Sequence, residues 1–474
     1  MSLPSTVVLF TFFALIATTS GHDNAHTCGW GLPRNPLAHT PGCPAPFLDP
    51  SAPANPAAWA PWTHPPHCVT TPGPLSDSGP WCVFTNAALP HTIYPLGPIP
   101  AGISIIATPD LASSSLFDIG TRPLAGAFSA LPRENLSHAS PPPYEVRPVP
   151  GKGLGVFATR AIPSGKVILI DYVVLLAAVE YPDGMGKKQV RELMRVGVER
   201  LGDPQRLRGL ARGAARNKVR GEELSPEEEL LVTNAFELPM GEEELRYMGL
   251  FAELSRINHA CDPNAHVHFS ETTMAMTIWS AKDIQPGEEI TISYSSIDLT
   301  SKERKETLQD TWGFKCSCSL CTAPKAVLKA SDDRRLAFRA ARDEVLQLAQ
   351  DQDFYGAVEA SKKLFELVDK EGLGPHLGDL YEIPARLHYQ IGDLKNARKY
   401  FKRSMFEYYG WGVPGAKDSV SLQNAKGILA RLDEEIAERE KQDKQNKKNN
   451  NKNDNGKTKK NKKRKPQVYL GKKT

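Results

Sequence analysis

The stretch RINHACDPN (residues 256–264), followed about fifty residues later by CSCSLC (316–321), carries most of the information about the fold of this chain. The two stretches together supply four thiols, from Cys261, Cys316, Cys318 and Cys321. Four thiolates can close a tetrahedral zinc site, whereas disulfides across the short spacings of the second stretch would be strained. The sequence therefore predicts a zinc ion that pins this loop over the Asn258-His259 pair.

Two further motifs flank this stretch. GKGLGVF (151–157) places glycines before an apolar strand, and glycine lets the main chain approach a ligand closely. PGEEITISY (286–294) has a glycine turn followed by alternating apolar residues, which predicts a strand over 289–294.

With these motifs in this order, residues 144–323 resemble a SET domain of the SET-and-MYND-like type, the fold of protein lysine methyltransferases. The resemblance implies an α+β fold of small sheets, with S-adenosylmethionine as the cofactor and the side-chain amine of a protein lysine as the methyl acceptor. It implies cofactor contacts by Lys152, Gly153, Leu154, Gly155, Asn258, His259 and Phe314. It also makes Tyr294 the active-site tyrosine, whose hydroxyl would orient the lysine nitrogen.

The chain departs from this family at three places, of which two lie within the SET-like region and the third is a signal-like N-terminus. Trp312 occupies a position in the substrate channel where related proteins often carry tyrosine, so the number of methyl groups transferred stays open. Residues 172–257 contain no cysteine, so the MYND zinc finger is absent. Trp312 is also the feature that favours an alternative function, a catalytically inactive SET/TPR-like protein-interaction module.

Length and composition divide the 474 residues into about three domains and two terminal segments. Many short strands with one helical insert predict an α+β domain. The expected segments are a signal peptide over 1–21, a Pro/Gly-rich irregular β or loop region over 22–143, a SET domain over 144–298 with a helical insert at about 176–247, a zinc loop over 299–323, a helical domain over 331–440, and a Lys/Asn-rich tail over 441–474.

The pattern from 331 to 440 is helical throughout. Asp353 and Asp393 lie 40 residues apart, and each opens an amphipathic run. This spacing resembles degenerate tetratricopeptide-type (TPR-like) helix pairs; an unrelated helical bundle is the alternative. Two such units are fewer than the three usually needed for stability, so we expect them to pack on the preceding domain.

The N-terminal apolar run, residues 7–17, is too short to span a bilayer and is followed by small residues, which is typical of a signal peptide. An apolar tail is the alternative. A signal peptide would favour two disulfides, in any of three pairings, among Cys28, Cys43, Cys68 and Cys82. It would also fit glycosylation at the Asn135 sequon and an N-terminal module with its own recognition role.

Charge is divided unevenly along the chain. Residues 441–474 hold 14 Lys/Arg and two Asp, a net +12, and the whole chain carries +4, so the remaining body carries −8. We expect the tail to be disordered and able to contact polyanions, and the acidic body to favour a basic protein or peptide substrate, possibly a histone. No membrane span and a monomer are expected. The signal peptide indicates the secretory pathway, whereas the methyltransferase resemblance and the basic tail indicate the nucleus or cytoplasm.

Overall fold

The structure, a computed structural model, describes residues 62–69, 80–88, 90–93, 97–100, 102–108, 141–181, 184–210, 218–219, 222–239, 246–270, 274–373, 377–409 and 427–446. The predicted signal peptide, Cys28, Cys43, Asn135 and the tail from 447 onward lie outside the described residues.

Short strands dominate the first two thirds of the described chain. The strands β1 to β16 are His67–Val69, Trp81–Asn86, Pro90–Ile93, Gly97–Pro100, Ile103–Ala107, Tyr144–Val149, Gly153–Ala158, Val167–Ala178, Lys218–Val219, Glu222–Glu223, Phe236–Pro239, Arg246–Phe251, Asn258–His259, Ala265–Ser270, Ala275–Ser280 and Glu289–Ile292. The helices α1 to α9 are Lys187–Glu199, Pro204–Arg208, Pro226–Asn234, Ser301–Thr307, Lys325–Gln350, Phe354–Glu371, Leu377–Gln390, Leu394–Tyr409 and 427–446. A 3-10 turn covers Leu254–Arg256, and a π-helical turn covers Leu308–Trp312.

The long strand β8 organises the main sheet. Its first half pairs with β15 and its second half with β12 along one edge, while β5 pairs with the other edge in parallel. The strand order is β1-β2-β5-β8-β12-β11, with β14 attached to β15. All but the first residue of β8 are buried, which fits its nearly unbroken apolar sequence, since a strand covered on both faces has no polar side.

The N-terminal region differs from the prediction of a separate irregular or stapled domain. Strands β2 and β5 are part of the main sheet, and their buried residues belong to the same core as those of β8. Cys68 and Cys82 lie opposite each other on β1 and β2 and form a disulfide. This segment therefore completes the sheet of the downstream domain.

A second sheet, in the order β13-β16-β7-β6, holds the predicted site motifs. Strand β13 pairs with β16 in parallel over two residues, which places Asn258 opposite Thr291 and His259 opposite Ile292. Strand β16 ends at Ile292, two residues before the predicted end of the strand at Tyr294. The short parallel pairing brings the second and third motifs side by side.

The insert between β8 and β12 is mainly helical, as predicted, but its ends differ from the expected range of about 176–247. Strand β8 continues to Ala178, and β12 begins at Arg246, so both ends of the insert are strands of the main sheet. Helix α3 begins at Pro226, and the hydroxyl of the preceding Ser225 accepts a hydrogen bond from the Glu228 N–H and caps the first turn.

The C-terminal region is helical, with α5 packed on α6 and α7 on α8. Asp353 and Asp393 cap α6 and α8 by accepting hydrogen bonds from the backbone N–H groups of Gly356 and Asn396, so both predicted helix starts are confirmed. Helix α9 runs to residue 446 and so includes the first six residues of the tail that was predicted to be disordered from 441. No helix in the described ranges combines the length and apolar character that crossing a membrane requires.

Candidate active site

The glycine-rich motif forms the turn between β6 and β7. Gly151 and Gly153 have φ angles of 75° and 81°, a conformation that side chains with a Cβ rarely adopt. A Cβ on Gly155 would lie 2.7 Å from Val149 and 2.9 Å from Nδ2 of Asn258. Glycine at 155 is therefore what allows β7 to approach the Asn258 side chain.

Asn258 is held in a fixed orientation. Its Nδ2 donates to the carbonyl of Leu154 at 2.9 Å and to Oε1 of Glu289 at 2.8 Å. Because both neighbours are acceptors, the amide nitrogen must face them and Oδ1 must point elsewhere. Lys152 Nζ pairs with Oε2 of Glu289 at 3.0 Å. Glu289 thus links two predicted cofactor residues.

The side chain of His259 joins Tyr294 to the cysteine cluster. Its Nδ1 accepts a hydrogen bond from the backbone N–H of Tyr294 at 3.0 Å, and its Nε2 lies 3.3 Å from Sγ of Cys261. A neutral imidazole that accepts at Nδ1 carries its proton on Nε2. The geometry therefore directs an N–H toward the sulfur, and His259 itself is only 4% exposed.

Tyr294 stands where the two motifs meet. Its hydroxyl donates to the carbonyl of Ile257 at 2.6 Å. Because the hydroxyl has only one proton, which it donates to Ile257, its oxygen can interact with a substrate group only as an acceptor, through its lone pairs. An amine N–H placed beside it would therefore find an acceptor.

Aromatic rings enclose Tyr294. The Trp312 ring centroid lies 5.3 Å and that of Phe314 6.5 Å from the Tyr294 ring, while His259 lies 6.2 Å from Phe314. Gly313, with a φ of 62°, reverses the chain between Trp312 and Phe314 so that both face the same tyrosine. The indole N–H of Trp312 donates to the Thr233 carbonyl at 3.0 Å, which ties the insert helix α3 to the site.

The four predicted zinc ligands converge. The sulfur atoms of Cys261, Cys316, Cys318 and Cys321 all lie within 4.8 Å of one another. Sγ of Cys261 is 4.0 Å from that of Cys316 and 3.5 Å from that of Cys321. Tetrahedral zinc with Zn–S bonds of about 2.3 Å requires sulfurs about 3.8 Å apart, so the cluster fits this ion.

Hydrogen bonds within the cluster favour the thiolate at two members, Cys316 and Cys318, because contact with Cys261 lowers the pKa of both. The interaction with Cys261 is the largest cause that lowers the pKa of Cys318 to about 5. The backbone N–H of Cys261 also points at the Cys318 sulfur at 3.4 Å, which favours the anion. A divalent cation would neutralise the negative charge that such a set of thiols collects when it deprotonates.

The buried carboxylate of Asp171, on β8, supports the turn before Asn258. It accepts hydrogen bonds from the backbone N–H groups of Glu253 at 2.7 Å and Leu254 at 2.9 Å. Burial is the largest cause that raises the pKa of Asp171 to about 6. Glu253 in turn pairs with Arg206 of α2 in the insert. The central sheet and the insert therefore both hold the chain that leads into the site.

A cavity of about 290 Å³ opens beside these groups. Its lining includes Lys152, Glu289, His259, Thr291 and, from the cysteine loop, Cys318. Phe314 and Trp312 lie next to Tyr294 and are not among the residues lining this cavity. The site thus has a polar cavity on the glycine-motif side and an aromatic enclosure around Tyr294.

Glu289, Asn264 and Asp171 were not predicted as site residues. Asn264 donates from Nδ2 to Oε1 of Glu288 and to the carbonyl of Glu289, both at 2.9 Å, and fastens the RINHACDPN stretch to β16. The doubled acid in PGEEITISY and the last asparagine of RINHACDPN were visible signals for two of these residues. Asp171 is an acidic residue inside an apolar run. Because a buried carboxylate needs partners, its presence in that run was the signal that the sequence offered.

Comparison with known families defines the class of domain. Residues 153–295 match the sequence model of the family described as SET domain. The match begins at Gly153, directly after the glycine turn, and includes Asn258-His259 and Tyr294; it agrees with the small sheets described above. The chain therefore contains a SET domain, and its fold is a SET domain followed by an all-helical region.

Three relatives show which SET-related proteins this chain is similar to. Histone-lysine N-methyltransferase set5 of Schizosaccharomyces pombe is 29% identical over 196 residues, 40% of this chain and 54% of that protein. Human histone-lysine N-methyltransferase SMYD3 is 34% identical over 91 residues, 19% of this chain and 21% of that protein. Chicken N-lysine methyltransferase SMYD2 is 32% identical over 104 residues, 22% of each. The chain thus spans between about a fifth and about half of these relatives' lengths.

Proposed function

We propose that this protein transfers methyl groups from S-adenosylmethionine to the side-chain amine of lysine in a protein substrate. The observation that carries the proposal is the position of Tyr294, whose hydroxyl is held on the Ile257 carbonyl next to the Asn258-His259 pair. The relatives that this chain matches are named as lysine methyltransferases. Both facts favour methyl transfer over the alternative of a non-catalytic module.

The residues around the cavity fit the proposed cofactor. Lys152 of the glycine motif lines this cavity, and the adjoining Gly153, Leu154 and Gly155 would complete the cofactor contacts of that motif. A Cβ on Gly155 would crowd the side chains of Val149, Glu289 and Asn258. Asn258 uses both amide hydrogens within the protein, which leaves Oδ1 to accept from a donor such as the methionine ammonium group. When bound, S-adenosylmethionine supplies a methyl group activated by its sulfonium.

Tyr294 would act on the substrate amine. Its lone pairs can accept a hydrogen bond from the amine and hold the nitrogen in line for attack, an effect of positioning that needs no covalent intermediate. The rings of Trp312 and Phe314 would enclose the apolar stem of the lysine and exclude water. Their π faces suit the cationic product.

Zinc is the second proposed cofactor, with Cys261, Cys316, Cys318 and Cys321 as its ligands. All four thiols are close enough to share one tetrahedral ion. Its role would be structural, because a site closed by four thiolates leaves no position for substrate. It would hold the loop that carries Phe314 against the segment that carries His259.

We propose a basic protein as the substrate class, because the chain outside residues 441–474 carries a net −8 and several relatives are named for histone lysines. The TPR-like helical region would contribute a partner surface. The basic tail would contact polyanions by a salt-dependent attraction, and the protein would act as a monomer.

The test is transfer of label from S-adenosylmethionine to a panel of histones and other basic proteins. We expect label on lysine with the wild-type protein and little with Tyr294→Phe, which keeps the ring but removes the hydroxyl. Equal incorporation by both proteins, or none by either, would argue against the proposal. Calorimetry with the cofactor alone separates the non-catalytic alternative, because an interaction module of that kind would bind none.

The cellular compartment remains a separate proposal. The disulfide between Cys68 and Cys82 supports a signal peptide over residues 1–21, because disulfides persist mainly in oxidising compartments. A fluorescent fusion at the C-terminus, with a glycosidase assay on Asn135, tests it. A nuclear signal and an unmodified Asn135 would instead support the intracellular alternative.

A further inference from the structure

One face of helix α5 meets the chain that follows Tyr294 through paired polar groups. Three contacts cross this seam: Ser301 N to Asp332 Oδ1 at 2.7 Å, Arg339 Nη1 to Glu303 Oε1 at 3.0 Å, and Arg342 Nη1 to Asp298 Oδ2 at 2.9 Å. The members on α5 recur every three to seven residues, which places them on one side of the helix. The helical region is thus joined to the SET domain by a polar seam.

A further residue on this side of α5, Arg335, extends beyond the seam. Its Nη1 donates to the Ile297 carbonyl at 2.6 Å, and its Nη2 donates to the Cys261 carbonyl at 3.2 Å. Its Nε donates to Oε1 of Glu371, on α6, at 2.8 Å. The Arg335 side chain is only 3% exposed, so one buried guanidinium holds three separate parts of the chain.

The two carbonyls belong to the two segments that form the candidate site. Cys261 is two residues beyond His259, and Ile297 is three residues beyond Tyr294. The strands that bring these segments together, β13 and β16, pair over only two residues. Besides the hydrogen bonds that His259 and Tyr294 make between these segments, Arg335 is therefore a further point at which the segment of the Asn-His pair and the segment of the tyrosine are held together, and it acts from outside both segments.

The chemistry of the contact favours arginine. A guanidinium is a planar fork with several fixed donors, so it can bond two carbonyls and a carboxylate at the same time. Lysine would place one compact ammonium there and lose this geometry. The Glu371 side chain is 4% exposed and also accepts hydrogen bonds from Arg334, at 2.6 Å, and from Ser331. The carboxylate that holds the Arg335 guanidinium is therefore itself fixed in position.

We propose that Arg335 is a positioning residue for methyl transfer, which makes the helical region a working part of the active site. Through the carbonyls of Cys261 and Ile297 it sets the distance between the zinc-bound segment and Tyr294. This inference rests on the proposed function, since it assigns Arg335 a role in that reaction.

The experiment compares Arg335→Lys with a matched control, Arg342→Gln, in the purified full-length protein. Arg342 lies on the same face of α5 and crosses the same seam, but its partners are Asp298 and the neighbouring Asp343. Two assays are run at a temperature where circular dichroism shows that both variants are folded. The first measures the rate of zinc transfer to a chromogenic chelator, and the second measures kcat and KM for a histone substrate.

We expect Arg335→Lys to release zinc about tenfold faster and to lower kcat about tenfold, with KM for the histone within about twofold of wild type. Arg342→Gln should leave both quantities within about twofold. Equal behaviour of the two variants, or a lower thermal midpoint of Arg335→Lys with unchanged zinc release and kcat, would overturn the inference.

Glu371→Gln provides a second route if Arg335→Lys does not fold. It removes the charge that holds the guanidinium but leaves Arg335 in place, so it should shift zinc release and kcat in the same direction. Unchanged values for both quantities would contradict the inference. Zinc release does not depend on turnover: if the wild type transfers no methyl group, the proposed function fails, and faster zinc release would still report the structural link.

Discussion

The backbone N–H of Tyr294 donates to Nδ1 of His259 at 3.0 Å, while Nε2 of the same ring lies 3.3 Å from the sulfur of Cys261. One imidazole therefore spans from the candidate catalytic tyrosine to the candidate metal cluster. Groups that hydrogen-bond to metal ligands orient those ligands and tune the metal.

His259→Gln should weaken both connections, because a flexible amide cannot reproduce the two opposed ring nitrogens. We expect kcat to fall about 10- to 100-fold and zinc to be lost more readily. Zinc content by atomic emission and steady-state kinetics check both effects. His268→Gln is the control, because His268 stacks on Trp279 outside the site; an equal loss in this control would contradict a role specific to His259.

Glu289→Gln should weaken cofactor binding. The carboxylate accepts hydrogen bonds from both Lys152 and Asn258. If the amide of glutamine still accepts from Asn258, its NH2 group faces the ammonium group of Lys152, and two donors then oppose each other. A hydrogen bond to a charged group is worth about 1.5–3 kcal/mol, so we expect the Kd for S-adenosylmethionine to rise about 10- to 100-fold. Calorimetry measures this constant. Glu145→Gln, a more exposed change in the same sheet, should leave the Kd unchanged.

Asp171 should make stability depend on pH in an unusual direction. Burial raises the pKa of Asp171 to about 6, against about 3.9 in an unfolded chain, so the folded state binds the extra proton between these values. The contribution of this carboxyl is therefore most favourable below about pH 4 and is lost as the pH rises through about 6.

Asp171→Asn removes this titration. We expect the free energy of unfolding of wild type, relative to that of the variant, to fall by about 2 kcal/mol between pH 4 and pH 7. Urea titrations of both proteins across this range measure the difference. A difference that stays constant with pH would show that Asp171 titrates normally.

The two sets of cysteines should react differently with an alkylating reagent. Chelation should expose Cys261 and the three cysteines of the loop, because zinc no longer protects their sulfurs. Cys68 and Cys82 should react only after reduction. Mass spectrometry of tryptic peptides from folded protein, with and without chelator and reductant, checks this order. Alkylation of Cys68 without reductant would contradict the disulfide. Alkylation of Cys261 and the three loop cysteines without chelator would contradict the zinc site.

Much of the site could be predicted because its motifs are contiguous in sequence. Asn258, His259 and Cys261 occupy one short stretch, and the alternation after Gly287 indicated the strand that leads to Tyr294. The convergence of Cys261 with the loop 316–321 followed from the ligand chemistry of zinc. These inferences depend on local spacing, which a single sequence displays.

Other contacts could not be predicted because they depend on tertiary structure. Arg335 lies on a helix with several arginines, and nothing local distinguishes the one that reaches Cys261 from those that pair with nearby acids. Asp171 supports Glu253 and Leu254 more than 80 residues away. The position of β5 in the main sheet could not be predicted either, because its partner strand β8 belongs to a later part of the chain.

The position of β5 in the sheet has a consequence for synthesis of the protein. Strands β1, β2 and β5 leave the ribosome early, and Cys68 and Cys82 are only 14 residues apart, so this hairpin and its cross-link can form at once. The parallel partner is far behind, since Ser104 pairs with Leu175, 71 residues later. Until then one edge of β5 is an unpaired template for other nascent chains.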